Sequence, residues 1–477
     1  MNSPRTKIAI FTSIVILFLV LLNLPNPGTM EPKAWKTACI AIFMALLWIS
    51  ESVPLSATAL LPLVLFPIFN ISNLSVAGSG YSNPLIFLFL GGFILALALE
   101  KWNLHKRIAL NILVRLGGRP ERLILGFMIS SGFLSMWVNN TSTTLMMLPI
   151  ALSIISILKE ENQFQDSRSY SNFQTSILLG IAYSSSLGGM STLIGTVPNI
   201  FMSGYLYQTT GTRITFLSWL MIGVPIFLIS IPIMSYLFSK IFPLSVSGNT
   251  GDNLYLKNEL KKLGKPVTGE ILISIIFFIV VLAWIFRPLI ADRIPMITDS
   301  VIGITGGVVL FFIPVDTKRL EFLMDWETAR KIPWDAIILL AGGLSLAGAI
   351  ESTHLAEWLG NQLFFLKGIP FPLVLIFVVT LIIFFTELTS NVATTAAFLP
   401  ILYSLSLGID MNPIFLIVPA TLAASCAFML PVATPPNTIV YGTGKVNVRD
   451  MVKIGFYMNL IFIPIIAFTV YHLGKYL

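Results

Sequence analysis

Apolar runs recur along the chain near residues 8–22, 34–50, 56–72, 84–100, 172–207, 214–239, 268–290, 298–314, 334–350, 411–444 and 454–474. Most suit one membrane-crossing helix, which needs roughly 20 apolar residues. Two of them, 172–207 and 411–444, are too long for one straight crossing and contain Gly and Pro, so interrupted helices are expected there. Two further apolar segments, 122–158 and 371–408, hold an Asn/Ser/Thr cluster in the middle. Each reads as a re-entrant hairpin with that cluster at its tip. The expected fold is an all-α polytopic membrane protein with about 11 transmembrane helices plus two re-entrant hairpins.

The first run follows Arg5 and Lys7, and the stretch after it, Asn23-Leu-Pro-Asn-Pro-Gly, lacks a small-residue cleavage pattern. It reads as an uncleaved first helix. With the N-terminus inside and both hairpins returning to their own side, 22 of the 29 Lys and Arg fall on inner loops. That bias fits the positive-inside rule and accounts for the net charge of +7 without a nucleic-acid partner. It places the N-terminus in the cytoplasm and the C-terminus outside. The basic segment 101–122 suits an amphipathic helix on the anionic lipids of the inner leaflet. Trp35, Trp48, Trp102, Trp334 and Trp358 fall near span ends, as in an aromatic belt. Only 11% of residues are charged, against about 25% in soluble domains, which excludes a large soluble domain. Short loops throughout suit a bacterial plasma membrane.

An internal repeat is present. Gly91-Gly92 recurs as Gly342-Gly343, Asn140 as Asn391, Thr143-Thr144 as Thr394-Thr395, and Leu148-Pro149-Ile150 as Leu399-Pro400-Ile401, all at an offset of 251. Pro198-Asn199 recurs as Pro436-Asn437 at 238. The layout puts the first hairpin on the inner side and the second on the outer side, so the halves are inverted. Residues 84–240 form the first repeat (hairpin 122–158, broken helix 172–207), and 298–477 hold the second (hairpin 371–408, broken helix 411–444) with the last helix. Residues 241–266 read as a cytoplasmic loop. Inverted repeats with broken helices are the architecture of secondary transporters, with the site at the repeat interface.

The hairpin tips read Ser135-Met-Trp-Val-Asn-Asn-Thr-Ser-Thr-Thr and Thr386-Glu-Leu-Thr-Ser-Asn-Val-Ala-Thr-Thr. The broken helices read Gly195-Thr-Val-Pro-Asn199 and Ala433-Thr-Pro-Pro-Asn437. Free carbonyl and amide oxygens suit a hard cation such as Na⁺, and free N–H groups at helix starts suit a carboxylate. No Arg or Lys lies within these motifs. A dianion held there needs positive charge from elsewhere, which points to co-bound Na⁺ or to exchange of one anion for another. His105, His354 and His472 are scattered, Cys39 and Cys426 lie in apolar surroundings, and no nucleotide-binding loop is present, so catalytic residues and a cofactor are not expected. Glu387 reads either as an outer neighbour of a cation site or as an interfacial surface residue. Glu100 and Asp335 read as solvated residues at span ends.

The paired tips, with Gly180-Ile-Ala-Tyr…Gly188-Gly189…Gly195-Thr-Val-Pro-Asn and Leu430-Pro-Val-Ala-Thr-Pro-Pro-Asn437, resemble the divalent anion/sodium symporter (DASS) family over nearly the whole chain. The resemblance implies a homodimer whose transport domain moves as an elevator against a scaffold, here residues 1–83 and 267–297. It implies transport of malate, succinate, fumarate or 2-oxoglutarate, by Na⁺ symport or by exchange, with citrate or sulfate as the alternative cargo and a non-transporting receptor as a further reading. Residue by residue, it implies substrate contacts at Asn140, Thr141, Asn391, Val392, Thr196, Val197, Thr434 and Pro435. It implies Na⁺ ligands at Ser135, Asn139, Asn140 and Gly195, and at Thr386, Thr389, Asn391 and Ala433. Asn139 stands where the family has Ser, Val392 where it has Thr, and Val197 where it often has Pro.

Overall fold

A computed structural model describes residues 4–161, 163–246, 254–291 and 293–477. Among these, nine helices are long and apolar enough to cross a membrane. Shorter apolar helices supply the remaining crossings: Leu55–Ala59 with Leu61–Ile68, Asp299–Val309, and Ile414–Ala424. Both hairpins are helix pairs, Pro120–Ser135 with Asn140–Glu160 and Phe371–Thr386 with Asn391–Gly408. Both long runs are interrupted. Ser167–Ser191 continues as Val197–Thr210, and Ile414–Ala424 as Pro435–Tyr441. The second half of each begins with Pro in its first turn, where a missing N–H costs nothing and φ is preset for a helix. Part of the expected loop at 241–266, residues 247–253, lies outside the described residues. The rest carries the helix Leu254–Lys262, which packs on Leu104–Leu116.

Leu104–Leu116 is the basic amphipathic helix expected at 101–122. It buries Ala109, Leu110 and Leu113. Arg107 clamps Glu270, at the start of Thr268–Ile290, with two hydrogen bonds of 2.9 Å. Lys101 binds Asp325 at 2.8 Å in the loop before Trp334–Ser352. Burial pulls the Asp325 carboxyl upward, but hydrogen bonds from Lys101 and Thr328 outweigh it and hold the pKa near about 2. This contact is therefore intact at neutral pH and is lost only as pH falls from about 4 towards 2.

The two halves match in local geometry as well as in sequence. The helices that carry the paired glycines, Pro84–Lys101 and Trp334–Ser352, each end in a bend through a left-handed residue. Asn103 has φ 54°, ψ 19° and His354 has φ 55°, ψ 21°. A Cβ on Gly91 would lie 2.1 Å from the Gly303 carbonyl, and one on Gly342 would lie 2.0 Å from the Ala59 carbonyl. Each paired-glycine helix therefore packs backbone to backbone on a short helix from the other half. The match also extends upstream of residue 84. Trp48 Nε1 donates to the Leu55 carbonyl at 3.2 Å, and Trp284 Nε1 to the Asp299 carbonyl at 3.0 Å. Trp48 is only 1% exposed, so it fastens one helix to the next and belongs to no lipid-facing belt.

The helix Ser167–Ser191 is the centre of the core, buried continuously from Thr175 to Ser191. The second halves of the broken helices cross over. Pro435–Tyr441 packs on Asn140–Glu160, and Val197–Thr210 packs on Asn391–Gly408.

Candidate functional site

Each hairpin turns because its second helix is capped by a polar side chain. Asn139 Oδ1 accepts from the Ser142 amide at 2.8 Å, and Ser390 Oγ accepts from the Ala393 amide at 3.2 Å. Asn139 thus fills the same N-cap place as Ser390, and both are favoured cap residues. The next residue is Asn in both tips. Asn140 Oδ1 accepts from Ser135 Oγ at 2.7 Å, and Asn391 Oδ1 accepts from Thr386 Oγ1 at 3.0 Å. The hydroxyls of Thr144 and Thr395 donate to the Asn140 and Asn391 carbonyls, both at 2.8 Å. The tips are thus built to one plan from different residues.

The breaks repeat a plan too. Asn199 Nδ2 donates to the carbonyls of Met190 at 3.0 Å and Thr192 at 2.8 Å. Asn437 Nδ2 donates to Ala427 and Leu430, both at 3.0 Å. Each Asn reaches back over the break and ties the two half-helices together. Thr196 and Thr434 share an extended backbone, φ −147° and −140°. Tyr183 OH donates to the Phe428 carbonyl, joining one broken helix to the unwound stretch of the other.

Both tips and both breaks line one cavity of about 700 Å³. Of the residues expected in the site, Asn139, Asn140, Thr141, Gly195, Thr196, Val197, Asn391, Val392, Ala433, Thr434 and Pro435 lie on its wall. Ser135 and Thr386 lie behind the tips, fully buried, and reach the cavity through Asn140 and Asn391. Thr389 is turned aside, paired with Thr394 Oγ1 at 2.6 Å.

The wall consists of helix starts. Asn140–Glu160, Val197–Thr210, Asn391–Gly408 and the seven-residue Pro435–Tyr441 all begin at the cavity. Each full helix start carries about +0.5 of a charge, so the three long ones together supply roughly +1.5 without a single Arg or Lys in the motifs, while Pro435–Tyr441 opens on two prolines and presents no free amide. Such a lining suits an anion, and its size admits a dianion. The oxygens behind the tips suit a hard cation such as Na⁺. Gly189 closes the first tip. A Cβ there would lie 2.1 Å from Asn140 Oδ1, so Gly189→Ala should displace Asn140 and cut uptake at least about tenfold, read as initial rate in proteoliposomes.

Three participants were not evident from the sequence. Lys7, in the first helix, lines the cavity mouth together with Glu51–Leu55 and Pro333. A lysine so far ahead of the first hairpin tip in the chain gives no sequence signal. Glu387 is 3% exposed, so it is no surface residue. Its carboxylate accepts from the amides of Phe428 at 2.7 Å, Met429 at 2.9 Å and Leu430 at 3.1 Å, and from Asn459 Nδ2 at 2.8 Å. Its position beside Thr386 in the tip was the only hint. Trp137 packs edge-on against Phe277 at 4.9 Å, fastening the first tip to Thr268–Ile290. Leu388, its counterpart in the second tip, is 73% exposed.

The family description "Sodium:sulfate symporter transmembrane region" matches residues 5–477. The chain is 40% identical over 468 residues to the sodium-dependent dicarboxylate transporter SdcS of Staphylococcus saprophyticus, covering 96% of this chain and 89% of that protein. It is 39% identical over 467 residues to the protein of that name from Staphylococcus aureus strain MRSA252, with the same coverage. Among solved structures, the Alcanivorax borkumensis YdaH transporter superposes with a TM-score of 0.56 at 11% identity, over 99% of this chain and 97% of that one. That likeness concerns the fold alone.

Proposed function

The chain belongs to the sodium:sulfate symporter family, the divalent anion/sodium symporters its motifs resemble, and we propose that it carries C4–C5 dicarboxylates into the cell by Na⁺ symport. It is a transporter and no enzyme, as its family is. The observation that carries the cargo assignment is the convergence of four helix starts, from both halves, on one cavity. A positive lining presented from two opposed tips suits a molecule with a carboxylate at each end better than a compact tetrahedral anion such as sulfate. Na⁺ in place of exchange is favoured by the hydroxyl-backed Asn140 and Asn391, and by the sodium dependence in the names of both Staphylococcus relatives.

The remaining reading follows from the family. The hairpins and broken helices move as one transport domain against a dimeric scaffold, with the N-terminus in the cytoplasm and the C-terminus outside. In that orientation the cavity mouth, with Lys7 and Pro333, faces the cytoplasm. Substrate contacts fall to Asn140, Thr141, Thr196, Val197, Asn391, Val392, Thr434 and Pro435. Na⁺ contacts fall to Ser135, Asn139, Asn140 and the Gly195 carbonyl, and to Thr386, Thr389, Asn391 and the Ala433 carbonyl.

Uptake of labelled malate, succinate or 2-oxoglutarate into proteoliposomes tests this. A Na⁺ gradient should drive uptake into empty vesicles. Uptake that ignores Na⁺ and needs internal dicarboxylate would replace the symporter with an exchanger. Displacement of malate by sulfate would replace the cargo. Val392 lines the cavity next to Asn391 but offers no hydroxyl. Val392→Thr should therefore lower the half-saturating malate concentration by about tenfold, the worth of one hydrogen bond to a charged group.

A further inference from the structure

A second polar cavity lies on the other flank of the first hairpin. Its volume is about 430 Å³, and its polar lining is Glu100, Asn103, His105, Ser142 and Thr143. It shares no lining residue with the central cavity. Glu100, at the end of the helix Pro84–Lys101, is half-buried there. The neighbouring Lys101 is turned away to Asp325 and the Phe322 carbonyl. Among the described residues no Lys, Arg or His comes within ion-pair distance of Glu100. A carboxylate drawn out of water with no closer counter-charge than Lys331, which lies beyond ion-pair distance, is unfavourable.

Thr143 points the same way. It is 1% exposed, lines this cavity, and its Oγ1 has no hydrogen-bond partner among the described residues. Ser142 Oγ already accepts from Asn139 Nδ2 at 3.1 Å, while the Ser142 amide donates to Asn139 Oδ1 at 2.8 Å. His105 Nδ1 lies 2.9 Å from the Leu99 carbonyl and donates to it, which leaves Nε2 as an acceptor. The cavity thus offers a carboxylate, two hydroxyls and an amide oxygen, the donor set of a hard cation.

We propose that this cavity binds Na⁺ on Glu100, with Ser142 and Thr143 as further ligands, and that its occupancy is passed through Ser142 to Asn139, the cap of the first hairpin tip. The site is separate from the coupling-ion positions around Asn140 and Asn391. Its existence does not rest on the cargo assigned above.

The test is equilibrium binding of radioactive sodium to the purified full chain in lipid nanodiscs, without dicarboxylate and with choline as the balancing cation. Glu100→Gln should bind one Na⁺ fewer than the parent, and Thr143→Val should weaken that Na⁺ by about tenfold. Glu100→Asp should restore it, which separates a lost ligand from a lost fold. The Asn140→Ala, Asn391→Ala double variant should keep the Glu100-dependent Na⁺. Equal binding by Glu100→Gln and the parent overturns the site. Displacement of that ion by K⁺ as readily as by Na⁺ overturns the assignment to Na⁺. A failure of dicarboxylate uptake would sink the cargo reading and leave this binding measurement standing.

Discussion

Asn391→Ala should abolish dicarboxylate uptake, and Asn140→Ala should do the same, while both variants still purify as folded protein. Each Asn sits where a helix start meets the cavity. Its Oδ1 accepts from a hydroxyl buried behind the tip, and its Nδ2 has no hydrogen-bond partner among the described residues. One side chain thus serves two charges, the amide nitrogen facing a carboxylate and the amide oxygen offering itself to Na⁺. Losing a hydrogen bond to a charged group costs about 1.5–3 kcal/mol, and removing the cation's oxygen adds to it, so the combined fall exceeds roughly a hundredfold. The fold should survive, because the caps at Asn139 and Ser390 and the back-bonds from Thr144 and Thr395 do not use these side chains. Uptake by proteoliposomes, paired with gel filtration, checks both parts. Near-normal uptake in both variants would mean the cargo passes elsewhere.

Glu387→Leu should be the most damaging single change to stability. The helix Ile414–Ala424 stops ten residues before Pro435, so the stretch between has amides with no helical partner. Glu387 takes up three of them in succession and adds Asn459 from the last long helix. Leu of similar bulk would leave four donors without a partner, those of Phe428 and Asn459 fully buried, at about 1–3 kcal/mol for each buried one. The variant should not be recovered folded from the membrane. Glu387→Gln keeps the shape but turns one acceptor into a donor, and should lower stability by about 3 kcal/mol, read as a fall in the Tm of purified protein. An unchanged Tm in Glu387→Gln would show that the carboxylate does not hold this stretch. In the first half the break is only Thr192–Thr196. There the counterpart of Glu387 is Met136, whose carbonyl accepts from Thr192 Oγ1. A shorter break has fewer amides to satisfy, so no carboxylate is required.

The spans, both hairpins, both breaks and the offset of 251 were legible because apolar length, Pro, Gly and polar tips are local signals. Eleven of the residues expected around the site do line one cavity, because the motifs that recur are the ones that face it. What stayed hidden depends on which face meets which. The Trp48 and Trp284 contacts show the repeat beginning before residue 84, yet loops of different length shift that pair out of register with the rest. Lys7 reaches the cavity mouth by helix packing alone. In sequence Glu100 closed a span and Glu387 sat in a polar tip, and neither position told what would surround it. Their surroundings differ. Glu387 has its donors supplied by backbone, and Glu100 has none supplied by a cation.

The crossover of the broken helices bears on how such a chain comes into being. Pro435–Tyr441 rests on the first hairpin, and Val197–Thr210 rests on the second. Each half therefore lends a half-helix to the hairpin of the other. During synthesis the first hairpin gains its contact with Pro435–Tyr441 only after residue 441 has been made. A half-length ancestor would have met the same need by pairing with a copy of itself, and fusing the two into one reading frame would make that pairing permanent.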